Sequence, residues 1–377
     1  MSHSLRGFFV CLMVLVAVTS VNGQSRVQFS GSLGLNYDTY HYSETNYSTF
    51  RPRHPANLGR FTADATLTAG RHFVLPVSIH LTTGQNTYNL PSLPDEGLVD
   101  YIRNPRNNVS INPSYRWIHG FFGSQTPMYS ELTTGDIALF GVGLELDPGH
   151  FLFSINYGTS QLGVEYDPVN DIAGAYEQKI FASRIGYGRR DGTHFALNLV
   201  KATEDETSVS AASPATRPSE GITFSPLIQI RIVSDLLFRT EFAGSVYTFD
   251  ILGPDMPYDN NVLDLIDPFL RVNASSNADW SKVTSLEWKG ETLTLGGEVR
   301  YVGPGFQPAG YRFMERDLID YKINSGIRLN NNRLTLNGSF GLRTNNLQNT
   351  TLDKTNRTIF NLNTFGQVTE AFSVQVN

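Results

Sequence analysis

Apolar and polar residues alternate over much of this chain, and residues 321–343 show the pattern most clearly. Apolar side chains recur at every second position there, and polar side chains occupy the positions between them. Three asparagines, Asn330, Asn331 and Asn332, separate two such runs. A period of two on both sides of a short polar turn predicts a β-hairpin with one apolar face and one polar face.

The same pattern predicts five more hairpins, with tight turns at 69–72, 147–149, 191–192, 234–235 and 289–290. Long connections rich in Pro, Asn, Asp and Ser separate these hairpins, and they cover residues 38–56, 84–108, 159–177, 204–220, 250–280, 303–316 and 344–356. The predicted strands are about 10 to 13 residues long, whereas globular strands cluster near 5 or 6 and a tilted membrane strand needs about 9 to 11.

Tight turns and long loops thus alternate along the chain, as they do in outer-membrane barrels with short periplasmic turns and long outer loops. The pattern predicts an all-β fold, a large antiparallel transmembrane β-barrel of about 16 or more strands, over residues 24–377. The alternative is a secreted or surface β-sandwich of the adhesin type, which also exposes a polar strand face to water.

Charged residues recur on the polar faces of the predicted strands. A dry interior would make them costly, whereas a water-filled lumen hydrates or pairs them. We therefore predict that six of them face the lumen and set its selectivity for ions and small solutes: Arg184, Arg239, Glu241, Glu298, Arg300 and Arg328.

Residues 119–135 do not fit the simple alternation. The strands predicted at 109–118 and 136–146 would both run toward the short turns, so the chain between them must return to the opposite side. This segment is either an extra strand or a stretch folded into the lumen as a constriction.

The N-terminal residues 1–23 have the composition of a secretory signal peptide. Arg6 precedes an apolar run from Phe8 to Val18 that is too short to span a membrane, and the small residues Val21 and Gly23 suit a cleavage site. Cys11, the only cysteine, lies within this run. We predict export and a mature chain without thiol chemistry.

The composition and motifs argue against several classes of partner and against an enzymatic reaction. With 29 basic and 35 acidic residues the chain is mildly acidic, which argues against nucleic acid as a partner. The eight histidines show no metal-ligand spacing, and no cofactor motif or catalytic constellation is present, so we predict a non-enzymatic protein without metal or cofactor. Acidic residues at 204–206 and at Asp255, Asp259, Asp264 and Asp267 could bind Ca²⁺, but solvated loop tips are the favoured interpretation.

Three stretches carry a resemblance to a known group of proteins: "NPSYRWIHGFFGSQTPMYSELTTGDIALFGVGLELDPGHF", "YVGPGFQPAGYRFMERDLIDYKINSGI" and "NGSFGLRTNNLQNTTLDKTNRTIFNLN". They resemble uncharacterised outer-membrane β-barrel proteins of Bacteroidetes-type Gram-negative bacteria. The resemblance implies an outer-membrane location and a large barrel, but no particular activity. The expected partners are outer-membrane lipid, lipopolysaccharide, the barrel-assembly machinery and small solutes or ions. The sequence stops at "AFSVQVN", without the terminal aromatic residue usual in such barrels, which leaves open that it is a fragment.

Overall fold

The computed structural model describes residues 27–41, 57–83, 97–169, 172–210, 212–255, 266, 268–311, 314–329, 333–349, 353–369 and 372–376. The predicted signal peptide and the three asparagines of the first hairpin lie outside these residues. The chain divides into two compact units, Met1–Phe122 and Gly123–Asn377.

The first unit consists of long strands followed by short ones: β1 (Val27–Thr39), β2 (Asn57–Ala69), β3 (Phe73–Thr82), α1 (Leu98–Arg103), β4 (Asn108–Ile111), β5 (Ser114–Tyr115) and the start of β6 (Ile118–Gln125). Strand β1 pairs with β2, β2 pairs with β3, and β3 pairs with both β4 and β5, always antiparallel. Helix α1 has six residues, too few to show a helical period in the sequence, which explains why 84–108 was predicted as one loop.

The prediction of one continuous strand over 109–118 is wrong. Asn112 and Pro113 interrupt it, because proline has no N–H to donate to the strand ladder. The backbone N–H of Asn112 still donates to the Pro76 carbonyl of β3 at 3.0 Å, so the ladder is broken at Pro113. The strand then ends at Tyr115, and Arg116 enters the left-handed region at φ 56° to begin the turn into β6.

The second unit is an antiparallel meander of twelve strands: β7 (Leu139–Leu146), β8 (Phe151–Gln161), β9 (Glu177–Gly188), β10 (His194–Asp205), β11 (Glu220–Val233), β12 (Leu236–Thr248), β13 (Ser276–Lys289), β14 (Leu293–Val302), β15 (Leu318–Leu329), β16 (Leu334–Asn345), β17 (Asn356–Thr369) and β18 (Phe372–Val376). Each strand pairs with the next in sequence. The eighteen strands of the described residues confirm the all-β antiparallel class and the predicted number of strands. The meander is one continuous sheet rather than the two facing sheets of a sandwich.

The connections of the second unit have the predicted lengths. Short turns follow Leu146, Gly188, Val233, Lys289 and Leu329, and long connections follow the strands between them. Consecutive connections of an antiparallel meander lie at opposite edges, so these short turns share one edge and the long loops share the other. We call these the turn edge and the loop edge.

The strand register of the second unit separates an apolar face from a polar face. In the first predicted hairpin Arg328 lies opposite Thr335 and Asn324 opposite Ser339, so the polar residues share one face as predicted. The opposite face carries exposed apolar side chains on each strand from β7 to β17, among them Val142, Tyr157, Ile185, Phe195, Ile228, Phe242, Leu286, Leu295, Ile323, Phe340 and Phe360.

Most of the buried core of the second unit lies on the polar face, where two segments between strands cover the sheet. Residues 126–138, here the inner segment, follow β6 and contribute Tyr129 and Leu132 to this core. Residues 303–311, here the second inner segment, contribute Phe306 and Ala309. Within the stretch 119–135 the chain completes the extra strand β6 at Gln125 and then folds over the polar face.

No helix among the residues that the structure describes is both long and apolar enough to span a membrane.

Candidate constriction site

The inner segment is a compact turn stabilised by its own short polar side chains. Thr134 Oγ1 accepts a hydrogen bond from the Tyr129 N–H at 2.9 Å, and the hydroxyls of Ser130 and Thr133 are 2.7 Å apart. The N–H of Gly135 donates to the Ser130 carbonyl at 2.9 Å, and Gly135 adopts φ 54°, a conformation that glycine takes without steric cost. These bonds give residues 129–135 one defined shape.

Tyr129 and Arg184 attach the beginning of this turn to the sheet. The Tyr129 hydroxyl donates to Asn156 Oδ1 at 2.6 Å. The Arg184 guanidinium lies 5.1 Å from the centre of the Tyr129 ring, donates to the Tyr129 carbonyl, and donates through Nε to Asn198 Oδ1 at 2.7 Å. Burial raises the pKa of Tyr129 well above its usual value, so the phenol stays protonated and remains a donor.

Glu241 attaches the next residue of the turn. Its Oε1 accepts hydrogen bonds from Ser130 Oγ and from Ser225 Oγ, each at 2.5 Å, and Arg239 lies 3.7 Å from its other oxygen. The Glu241 side chain is buried. A buried carboxylate is tolerated when it is hydrogen-bonded and paired, and here the partners come from β11, β12 and the inner segment.

Glu131 projects from the tip of the turn and forms an ion pair with Arg300 on β14 at 3.2 Å. The Glu131 side chain is 73% exposed, so its charge faces solvent. Arg300 lies opposite Asp320 in the strand register, and Asp320 accepts two hydrogen bonds from Arg343 at 2.6 and 2.7 Å. A row of alternating charges therefore runs from the inner segment across β14, β15 and β16.

The second inner segment lies beside the first on the same face. Its backbone N–H groups at Gln307 and Ala309 donate to the hydroxyls of Ser245 at 3.1 Å and Thr223 at 2.8 Å. A Cβ at Gly310 would lie 2.7 Å from the Thr133 carbonyl oxygen, so the two segments are in close contact. Together they narrow the space on the polar face.

The polar face of β13 to β17 stays open beyond these segments and forms a recess of about 450 Å³. Glu287, Glu298 and Arg328 supply its charges. The remaining lining is mostly small or amide side chains: Ser285, Thr294, Gly296, Gly297, Asn324, Ser325, Gly326, Asn337, Gly338, Ser339, Asn361 and Asn363. Such a lining is hydrophilic and leaves room for water and solutes.

All six charged residues predicted from the sequence lie on the polar face, and the structure divides them into two groups. Arg184, Arg239, Glu241 and Arg300 lie at or beside the inner segment, whereas Glu298 and Arg328 line the recess. Tyr129, Ser130 and Glu131 belong to the site but carry no motif that identifies them in the sequence. The only sequence signal for them is that residues 119–135 do not fit the strand alternation.

The acidic residues at 204–206 each have a protein partner. Glu204 accepts from the Ser219 N–H at 2.8 Å, Asp205 from the Thr207 hydroxyl at 2.7 Å, and Glu206 lies 3.5 Å from Arg271. Asp259, Asp264 and Asp267 lie outside the described residues. Within the part of the chain that the structure covers, no group of three or more His, Cys, Asp or Glu side chains could hold a metal ion.

An antiparallel meander with one exposed apolar face, one polar face, short turns at one edge and long loops at the other has the architecture of an outer-membrane β-barrel. On the polar face of this chain, the inner segment covers part of the strand surface.

No family model and no curated protein sequence matches this chain. Solved structures resemble it at low identity. OmpT, an outer membrane protein of Vibrio cholerae, is 10% identical with a TM-score of 0.44, and the match covers 91% of this chain and 97% of OmpT. OccAB2 of Acinetobacter baumannii is 11% identical with a TM-score of 0.45, over 93% of this chain and 90% of that one. OccK5 (OpdH) of Pseudomonas aeruginosa is 10% identical with a TM-score of 0.44, over 90% and 86%.

Proposed function

We propose that this chain forms a passive, porin-like β-barrel pore in the cell outer membrane, and that its inner segment is the constriction of that pore. The observation that carries the proposal is the attachment of residues 126–138 across the polar face by Tyr129, Ser130 and Glu131. A folded segment that crosses the polar face of a barrel wall restricts the cross-section available to solutes without sealing it.

The apolar face supports the placement in a membrane. Large apolar side chains there are exposed on every strand from β7 to β17, a surface that water would disfavour and that hydrocarbon would cover. The hydroxyls of Thr240 and Thr284 on that face are hydrogen-bonded to each other at 3.0 Å. The membrane-facing side is therefore the apolar face, and the polar face lines the lumen.

The proposed domain organisation is a signal peptide at 1–23 followed by barrel from 24 to 377, with the resemblance to Bacteroidetes-type barrels as the finer family assignment. The proposed partners are outer-membrane lipid, lipopolysaccharide, the barrel-assembly machinery and small solutes or ions. Catalysis forms no part of the proposal.

The six predicted lumen residues act differently in this proposal. Arg184 and Glu241 hold the constriction in place through hydrogen bonds, with Arg239 beside the Glu241 carboxylate. Arg300, Glu298 and Arg328 present charge to the passing solute. Because both signs are present, we expect weak ion selectivity from a wide, hydrated path.

The test is conductance of the full-length protein in planar bilayers, with reversal potentials measured under a salt gradient. We expect discrete conductance steps and a weak ion preference. Deletion of residues 130–135 should raise the step size, because the constriction is then removed. Folded, inserted protein that shows no conductance before or after the deletion would exclude the pore.

A further inference from the structure

Lys282 on β13 is a cation on the apolar face of the sheet. It alternates with Trp280 and Thr284 on that face, and the polar face of the same strand carries Ser281 and Val283. Among the described residues of β11 to β16, only Glu220 is also charged on the apolar face, and Glu220 is buried and paired with Lys201 at 3.4 Å. No carboxylate of the described residues forms such a pair with Lys282. Among the described residues, its charge therefore has no counter-ion.

Aromatic rings surround the position of Lys282. Phe242 lies opposite it on β12 and Tyr301 opposite it on β14. The Trp280 ring is 4.5 Å from the Tyr301 ring and 5.6 Å from the Phe242 ring, measured between ring centroids. Tryptophan and tyrosine concentrate at the membrane–water interface, so this cluster is expected at the border of the hydrocarbon region.

Residue contacts located between Lys282 and the loop edge show where the border of the hydrocarbon region lies. Val246, four residues nearer the loops than Phe242 on β12, and Ile222 opposite it on β11 pack against Leu270 and Val272 of the β12–β13 connection. Protein, not lipid, covers the sheet at that height. Trp288 lies near the other end of β13, eight residues or about 26 Å along the strand from Trp280, and a strand tilt reduces this to about 20 Å of height. This height is close to that of the apolar band in such barrels, which is about 25 Å. Lys282 therefore lies just inside the border of the apolar band at the loop edge.

We propose that Lys282 binds the phosphate headgroup of an anionic lipid in the leaflet that faces the long loops, with Trp280 and Tyr301 flanking the lipid. The inference rests on the proposed membrane location, in which the long loops face outward and the adjacent lipid carries phosphate groups. A lysine at this height extends its ammonium toward the headgroups, and a phosphate supplies the missing counter-ion. Charge complementarity selects this occupant over an uncharged lipid.

The test compares lipid retention by purified full-length protein in detergent, measured by native mass spectrometry. The probes are lipid A with its phosphates and the same acyl-chain lipid without them, each with and without millimolar inorganic phosphate. We expect wild-type protein and K282R to retain the phosphorylated lipid about fivefold better than the dephosphorylated one, and K282Q to lose this preference. The matched control K289Q, whose lysine lies at the turn edge beside Glu287, should keep it.

An unchanged preference in K282Q would overturn the proposal. Displacement of the lipid by inorganic phosphate would also overturn it, because the site would then be a free-anion site. A wild-type oligomer that K282Q converts to monomers would show that a second copy of the chain occupies this surface instead. Conductance of K282Q should equal that of the wild type, so loss of lipid preference is distinguishable from failure of the pore.

Discussion

The Glu241 carboxylate on β12 accepts a hydrogen bond at 2.5 Å from Ser130, a residue 111 positions earlier in the chain. The same oxygen accepts a second bond from Ser225 on β11 at 2.5 Å. The buried Glu241 carboxylate thus accepts hydrogen bonds from two donors, one on a strand of the sheet and one on the inner segment.

This arrangement supplies a matched pair of variants, S130A and S225A. Each removes one hydrogen bond to a carboxylate, worth about 1.5 to 3 kcal/mol, but only the bond lost in S130A joins the inner segment to the wall. We expect S130A to give larger or noisier conductance steps and S225A to conduct like the wild type, in planar-bilayer recordings. Equal conductance of both variants would show that Glu241 does not hold the constriction.

Leu295 and Thr294 are neighbours on β14 that point to opposite faces. Leu295 is exposed on the apolar face, whereas Thr294 lines the recess. An arginine at Leu295 should lower the free energy of unfolding by about 2 to 4 kcal/mol if the position is near the bilayer midplane, and T294R should be mild. Leu336 and Asn337 on β16 form a second such pair. Urea unfolding in lipid measures the free energy of unfolding for the arginine variants of both pairs. A larger loss at Thr294 and Asn337 than at Leu295 and Leu336 would reverse the assignment of the faces.

The faces of the strands could be predicted from the sequence, whereas the contacts of the inner segment could not. Strand faces follow from local alternation, as in the residues around Arg328 and Thr335, because each side chain's direction depends on its own position in the strand. The contacts of Ser130 and Glu131 depend on partners more than a hundred residues away and have no period along the chain. Their sequence shows only a short polar turn, which is equally compatible with an exposed loop.

The two edges of the sheet should lie on opposite sides of the membrane. Pro214 and Ala215 are exposed in the loop between β10 and β11, and Asp191 is exposed in the turn between β9 and β10. An epitope inserted after Ala215 should bind antibody on intact cells, whereas one inserted after Asp191 should do so only after permeabilisation. Equal labelling of both insertions on intact cells would contradict this topology.

Arg328 gives the cleanest test of ion selectivity, since it lines the recess and no carboxylate of the described residues pairs with it. R328Q removes one positive charge and R328E reverses it. We expect a graded shift of the reversal potential toward cation preference, larger for R328E, because fixed charge along the path attracts counter-ions. E298R in the same recess should shift the reversal potential toward anion preference. If none of the three variants shifts the reversal potential, the ions do not pass through the recess.

Arg300 calls for a different design, because it pairs with Glu131 at 3.2 Å and lies opposite Asp320. R300E alone places like charges together at the tip of the inner segment and should disturb both conductance and selectivity. The double variant R300E/E131R restores an opposite-charge pair with its order exchanged. Because Glu131 is 73% exposed, its share in the pair contributes at most about 1 kcal/mol, so E131R should change the free energy of unfolding little. Recovery of the wild-type step size in the double variant, but not in R300E or E131R alone, would show that the pair positions the tip. If the step sizes of the single variants combine additively in the double variant, the two charges act independently and the tip is held by Tyr129 and Ser130 alone.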